Sequence, residues 1–242
     1  MARALARGWG QPVVCCDAGS GRARELALEL GGEAVASPAE VAGRAEVLVL
    51  VHKPAGLPAV AAALAGCERT VVSALGGVSL ATLKESFPAA PVFRVMPNVP
   101  AEVGRGVTCV AAAPEGDPAL WEQVRDLFAR LGTVQPLDER LMDVATAVAG
   151  VGPAYASLLV EAQVEAAVRQ GLEPRLAGQM VAETMGGTAA LLEARGYDTL
   201  TVRREVTSPG GITARGLAAL EQGGVRAAFQ NAIDAALGRS RP

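Results

Sequence analysis

Val47-Leu48-Val49-Leu50-Val51-His52-Lys53-Pro54 is the stretch that decides the fold. Its apolar run, Val47–Val51, has no polar interruption and stops at His52, just before a Lys-Pro step. A strand with one wet face would alternate, whereas a continuous run marks a strand buried on both faces, as in a parallel sheet. Upstream, Pro12–Cys16 repeats the signal and ends at Asp17. Downstream, Thr70–Ala74, Val92–Met96 and Val107–Ala111 repeat it, and Thr133–Val134 starts a last short strand. Helical patterns fall between them: Arg22–Leu30, stopped by Gly31-Gly32; a segment opened by Ser37-Pro38 as N-cap and first turn; Leu57–Leu64; and Leu120–Leu131, ended by Gly132. This alternation predicts an α/β domain over residues 1–137, an open and largely parallel sheet with helices on both faces.

After Leu137 the strand signals stop. Tyr155, Leu158, Leu159, Ala162 and Ala166 recur at helical spacing, as do Leu176, Met180, Val181 and Thr184, then Leu191 and Leu192. Gly171, Gly186-Gly187, Gly196 and Gly223-Gly224 punctuate the pattern. Residues 138–242 therefore read as an all-helical domain. It holds more apolar surface than one copy needs, so a partner subunit is expected to cover the surplus.

Composition narrows the function classes. Half of the 242 residues are apolar but only 3% are aromatic, so the core is built from Ala, Val and Leu. The net charge is −3 with scattered basic residues, which gives no nucleic-acid footprint. Cys15, Cys16, Cys67 and Cys109 form no Cys-x-x-Cys pair, and with the single histidine, His52, they make no zinc site, so no metal is expected. Reduced thiols suit a cytoplasmic protein. There is no unbroken run of 18 apolar residues, so no membrane span is expected, and residues 1–10 carry no signal-peptide core.

Val206-Thr207-Ser208-Pro209-Gly210-Gly211-Ile212-Thr213 carries the chemistry. Two glycines let backbone approach a ligand, and the helix that follows starts with free N–H groups and a positive dipole end. Such a place favours a small anion such as a carboxylate. A plain helix cap with a tight turn is the other reading of the same residues.

Three further segments occur in order with it: Phe93-Arg94-Val95-Met96-Pro97-Asn98-Val99-Pro100, Ala149-Gly150-Val151-Gly152-Pro153-Ala154-Tyr155 and Leu220-Glu221-Gln222-Gly223-Gly224-Val225-Arg226. Together they resemble the pyrroline-5-carboxylate reductases, the family of the last step of proline biosynthesis, over essentially the whole chain. The resemblance implies a Rossmann-like N-terminal domain, a helical C-terminal dimerisation domain, and reduction of the cyclic imine 1-pyrroline-5-carboxylate with NADPH or NADH. It also implies intertwined homodimers, in many members assembled further into decamers.

Site residues follow from the same resemblance. Ser208, Pro209, Gly210, Gly211, Ile212 and Thr213 would hold the substrate carboxylate, with Ser208 donating through its hydroxyl. Thr213 would lie near the ring nitrogen as hydrogen-bond partner and proton donor, relay from water being the equal alternative. Met96, Pro97 and Asn98 would face the nicotinamide end, although core packing explains Met96 equally well. Lys53 and Pro54 would lie near the adenosine and ribose, with His52 in a solvated loop. Asp17 at the end of a strand would bond a ribose diol and favour NADH. Ser20, Arg22 and Arg24 would instead grip a 2′-phosphate and favour NADPH, the direction in which the resemblance leans.

The chain departs from the family pattern twice. Met1-Ala2-Arg3-Ala4-Leu5 resembles residues that follow the family's Gly-x-Gly-x-Met turn, so the first strand and the phosphate-cradling loop are expected to be missing. A start placed too late is the favoured reason, and neighbouring strand edges should be left unpaired. Val151 stands where the family commonly has Ser between two glycines, which removes one hydroxyl. Two other functions stay open: a relative acting on another small cyclic imine or keto acid, and a non-catalytic paralogue with impaired dinucleotide binding.

Overall fold

The computed structural model describes residues 1–111 and 117–238, in two compact units, Met1–Pro153 and Ala154–Pro242. The first unit runs α1 (Ala2–Trp9), β1 (Val14–Cys15), α2 (Arg22–Leu30), β2 (Glu33–Ala34), α3 (Pro38–Ala42), β3 (Val47–Leu50), α4 (Leu57–Ala63), β4 (Thr70–Ser73), α5 (Leu80–Ser86), β5 (Val92–Met96), β6 (Gly106–Ala111), α6 (Pro118–Ala129), β7 (Gly132–Leu137) and α7 (Met142–Ala145). A 3-10 turn, Val99–Val103, links β5 to β6, and a π turn, Thr146–Gly150, follows α7.

The strands form two sheets. β1 and β2 pair in parallel, and β3-β4-β5-β6-β7 form a five-stranded sheet in that order. All pairings in the larger sheet are parallel except β5 with β6, where Val95 faces Val110 and Met96 faces Cys109 in antiparallel register. β1 and β3 are not paired with one another, so each keeps one edge without a strand partner among the described residues.

Period-2 geometry explains why the strands are apolar throughout. Leu48, Leu50, Val71 and Val92 point to one side and pack with Leu57, Leu64, Leu83 and Phe87 of α4, α5 and their loops. Val47, Val49, Val72, Phe93, Val95 and Val110 point to the other, against Leu5 of α1 and Val124 and Phe128 of α6. Trp9 meets Phe128 edge-on at 5.9 Å and donates its indole N–H to the Leu127 carbonyl at 2.9 Å, which seats α1 on α6. Side-chain caps fix several helix starts: Ser37 accepts from Glu40 N, Ser79 from Thr82 N and Asp117 from Ala119 N.

Several details differ from the sequence reading. The strand expected at Pro12–Cys16 shortens to β1, and the last strand lengthens to Gly132–Leu137 because β6 offers it a full parallel ladder. The compact unit ends at Pro153, whereas the composition change suggested residue 137. The reason is packing: Met142 is fully buried with Cys109 and Ala111 under the sheet, and Ala145 and Leu137 lie against them.

The second unit contains most of α8 (Gly152–Arg169), then α9 (Pro174–Ala194), α10 (Thr199–Glu205), α11 (Ile212–Gln222) and α12 (Val225–Ala236). Tyr155 of α8 meets Phe229 of α12 edge-on at 6.3 Å. Among its described residues only Ala177 and Val202 are buried apolar groups, while Leu158, Leu176, Met180, Ile212 and Leu220 are exposed. One helical stretch among the described residues, Glu139–Arg169, is long and apolar enough by length and composition to cross a membrane. Its first part already packs on the sheet.

Candidate active site

β3, β4 and β5 run parallel, so Lys53-Pro54 after β3 and Met96-Pro97-Asn98 at the end of β5 lie at the same edge of the larger sheet. In open α/β sheets this carboxyl edge is where ligands bind. The residues present offer contacts for part of a dinucleotide there. His52 turns Nδ1 to the Lys53 carbonyl at 2.8 Å, and a carbonyl only accepts, so Nδ1 carries the proton. Nε2 is left as an acceptor, shielded from solvent and without a partner among the described residues. A buried polar atom of this kind calls for a donor such as a ribose hydroxyl or a carboxamide. His52 is therefore half-buried and not part of a fully solvated loop, whereas Lys53 and Pro54 are exposed.

The Asp17–Arg22 loop follows β1 in the smaller sheet. The Asp17 carboxylate is heavily engaged: Oδ1 accepts from Gly19 N at 2.8 Å and Ser20 N at 2.9 Å, while Oδ2 accepts from the Ser20 hydroxyl at 2.9 Å and Ala23 N at 2.8 Å. These bonds, led by that from Ala23 N–H, bring its pKa down to about 2. Arg22 and Arg24 are exposed and have no ion-pair partner among the described residues.

Asn98 is 7% exposed and its amide is fully directed. Its Oδ1 accepts from Val107 N at 2.8 Å, and its Nδ2 donates to the Ala149 carbonyl at 3.0 Å. Met96 is half-buried beside Met142 and Cys109, and Pro97 is buried. Two steps upstream on the same face of β5, Arg94 is 6% exposed and donates to Glu139 Oε1 at 2.8 Å. Glu139 also accepts from Leu80 N at 2.6 Å. Burial alone would raise the Glu139 carboxyl, but the Leu80 N–H and the Arg94 guanidinium outweigh it and hold it below the ordinary carboxylate range. Reading the sequence for ligand contacts passed over this pair. The signal was present, since an arginine in the middle of an apolar strand needs a carboxylate.

In the helical unit, Ser208–Gly211 is a hydrogen-bonded turn closed by Gly211 N to Ser208 O at 3.0 Å. Pro209 and Gly210 occupy its two central positions, and Gly210 has φ +68°, as a type II turn requires. A Cβ on Gly211 would lie 2.3 Å from Ser208 Oγ, so any larger residue there would displace the Ser208 hydroxyl. α11 begins at once and has no side-chain cap, which leaves its first N–H groups open. Neither the exposed Ser208 hydroxyl nor that of half-buried Thr213 has a hydrogen-bond partner among the described residues. Gly211 stands at the N-cap position without a side-chain cap, so the helix start combines a tight turn with open N–H groups.

A largely parallel sheet flanked by helices, followed along the chain by an all-helical unit whose α11 starts without a side-chain cap, is the plan of a two-domain nicotinamide-dependent reductase. Residues 139–242 match the family model described as pyrroline-5-carboxylate reductase dimerisation. A pyrroline-5-carboxylate reductase of Synechocystis sp. is 40% identical over 204 residues, covering 84% of this chain and 76% of the relative. One from Mycobacterium tuberculosis is 38% identical over 233 residues, covering 85% and 79%. The solved pyrroline-5-carboxylate reductase of Coxiella burnetii superposes with a TM-score of 0.86 at 26% identity, covering 100% of this chain and 95% of that one. The Plasmodium falciparum pyrroline carboxylate reductase, solved with NADP bound, gives 0.82 at 27% identity, covering 98% and 93%. The chain belongs to the pyrroline-5-carboxylate reductase family.

Proposed function

We propose that this chain reduces 1-pyrroline-5-carboxylate to L-proline with NAD(P)H. The observation that carries this reading is the Ser208–Thr213 element, with its glycine turn, uncapped helix start and two unpartnered hydroxyls, in a member of that family. The family match favours this activity over a non-catalytic or differently specific paralogue.

When bound, the reduced nicotinamide supplies the hydride that the imine carbon takes up. The protein's own task is to hold and orient. The Ser208 hydroxyl and the open N–H groups at the start of α11 hold the substrate carboxylate, with the helix dipole adding to the attraction. Pro209, Gly210 and Gly211 give that turn its shape, and Ile212 and Thr213 supply N–H groups to it. Thr213 directs its hydroxyl to the ring nitrogen and hands on a proton, directly or from water. On the first unit Met96 and Pro97 flank the nicotinamide end, Lys53 and Pro54 lie near the ribose, and Asp17, Ser20 and Arg22 meet the adenosine end.

The enzyme works as a homodimer through its helical unit, assembled further into decamers, in the cytoplasm and without a nucleic-acid or membrane partner. Purified chain, pyrroline-5-carboxylate and NADPH, followed by cofactor oxidation, test the activity. Turnover that falls about 100-fold in Thr213→Ala, and more than tenfold in Ser208→Ala, supports the reading. Equal turnover in all three forms overturns the assignment of these residues.

A further inference from the structure

β5 places Val92, Arg94 and Met96 on one face, and the extended backbone of Asn98 (φ −122°, ψ 168°) carries that alternation one step further. From Arg94 to Asn98 the chain advances roughly 13 Å. The segment from Glu139 to Ala149 covers about 15 Å where helical. The two lengths match, and contacts occur along both: Arg94 with Glu139, Met96 against the cluster that holds Met142, and Asn98 with Ala149.

The last of these contacts has a specific cause. In a regular helix the Ala149 carbonyl would accept from the residue four positions on. That residue is Pro153, which has no N–H to give. The helix passes through a π turn at this point, closed by Val151 N to Thr146 O at 2.9 Å. Asn98 Nδ2 provides Ala149 with a donor from outside the helix, and Val107 N fixes the other end of the amide. The orientation of the amide is thereby set at both ends.

We propose that Asn98 is a positioning residue: its amide replaces the hydrogen bond that Pro153 cannot make and so locks the π turn Thr146–Gly150 to the end of β5. The lock holds Met96 and Gly150 in register. A Cβ built on Gly150 would come 3.3 Å from Thr146 Cγ2 and 4.0 Å from Met96 Sδ, so any side chain added there would meet both the turn and the methionine. The catalytic consequence rests on the reductase reading above, in which Met96 and Pro97 flank the nicotinamide. Loosening the turn lets Met96 shift and misaligns the reacting atoms while cofactor affinity survives.

Asn98→Asp removes the amide donor to Ala149 while its carboxylate still accepts from Val107 N. Hydrogen exchange of the purified chain should be at least about tenfold faster at residues 147–152 in this variant. kcat should fall about tenfold, with the dissociation constant for NADP, from a fluorescence titration, unchanged within about twofold. Gly150→Ala, which disturbs the same turn and keeps the Asn98 amide, should reproduce the loss in kcat. Unchanged exchange with weakened NADP binding would overturn the proposal and make Asn98 a cofactor ligand, and full kcat in Gly150→Ala would also overturn it. An inactive parent chain would count against the reductase reading alone, since the exchange comparison still decides what Asn98 does.

Discussion

The Asp17 carboxylate takes up the Gly19, Ser20 and Ala23 N–H groups, donors that on the proposed reading a 2′-phosphate would otherwise meet. Its negative charge opposes a phosphate, while exposed Arg22 and Arg24 attract one. On the proposed reading, these residues would set the balance between the two cofactors. Arg22→Ala should raise KM for NADPH several-fold more than KM for NADH. Asp17→Ser should shift kcat/KM toward NADPH by about tenfold, a change worth about 1.4 kcal/mol. Steady-state kinetics with both cofactors reads each effect, and equal changes for NADH and NADPH would remove this loop from cofactor choice. The Ser208–Thr213 turn was legible from sequence because proline and glycine announce their backbone geometry locally. The partners of Asn98 were not legible, since Val107 and Ala149 meet it through backbone atoms that carry no residue signature.

Among the elements, the segment between β7 and α8 contributes most to the first unit beyond what its composition suggests. Glu139 opens it, caps the start of α5 through Leu80 N and neutralises Arg94. Replacing Glu139 with Gln removes the charge that faces a nearly buried guanidinium. Stability should fall by about 1 kcal/mol, toward the low end because part of the Glu139 side chain meets solvent. The folded-state pKa of Glu139 is depressed, so its contribution is complete above the ordinary carboxylate pKa and is lost as pH falls through the folded value. Urea unfolding should therefore separate Glu139→Gln from the parent at neutral pH and bring the two together in acid. A constant gap across that range would count against the ion pair. Strands β3 to β6 and helices α2, α4 and α6 were readable from apolar runs and caps. The antiparallel step between β5 and β6 was not, because direction within a sheet leaves no mark on a strand buried on both faces.

At the level of the whole molecule the two units are built on opposite terms. The first buries its apolar residues in three clusters, whereas the second exposes Leu158, Leu176, Met180, Ile212 and Leu220. Surface of this kind belongs in a subunit contact. Sedimentation should show a dimer, and Leu158→Lys combined with Met180→Lys should convert it to monomer. A double variant that still sediments as a dimer would place the contact elsewhere on the helical unit. The surplus was visible in the sequence as helices too apolar for their number, but which residues face outward depends on helix rotation, which periodicity fixes only loosely.

The scarcity of aromatic residues, which leaves the core to aliphatic side chains, also distributes the chromophores. Trp9 and Trp121 both lie in the first unit, about Phe128. Tyr155 and Tyr197 both lie in the second. Emission excited at the red edge, where only indole absorbs, therefore watches the nucleotide-type unit alone. Phenol emission watches the helical one, so a single unlabelled sample carries a separate optical clock for each half of the chain.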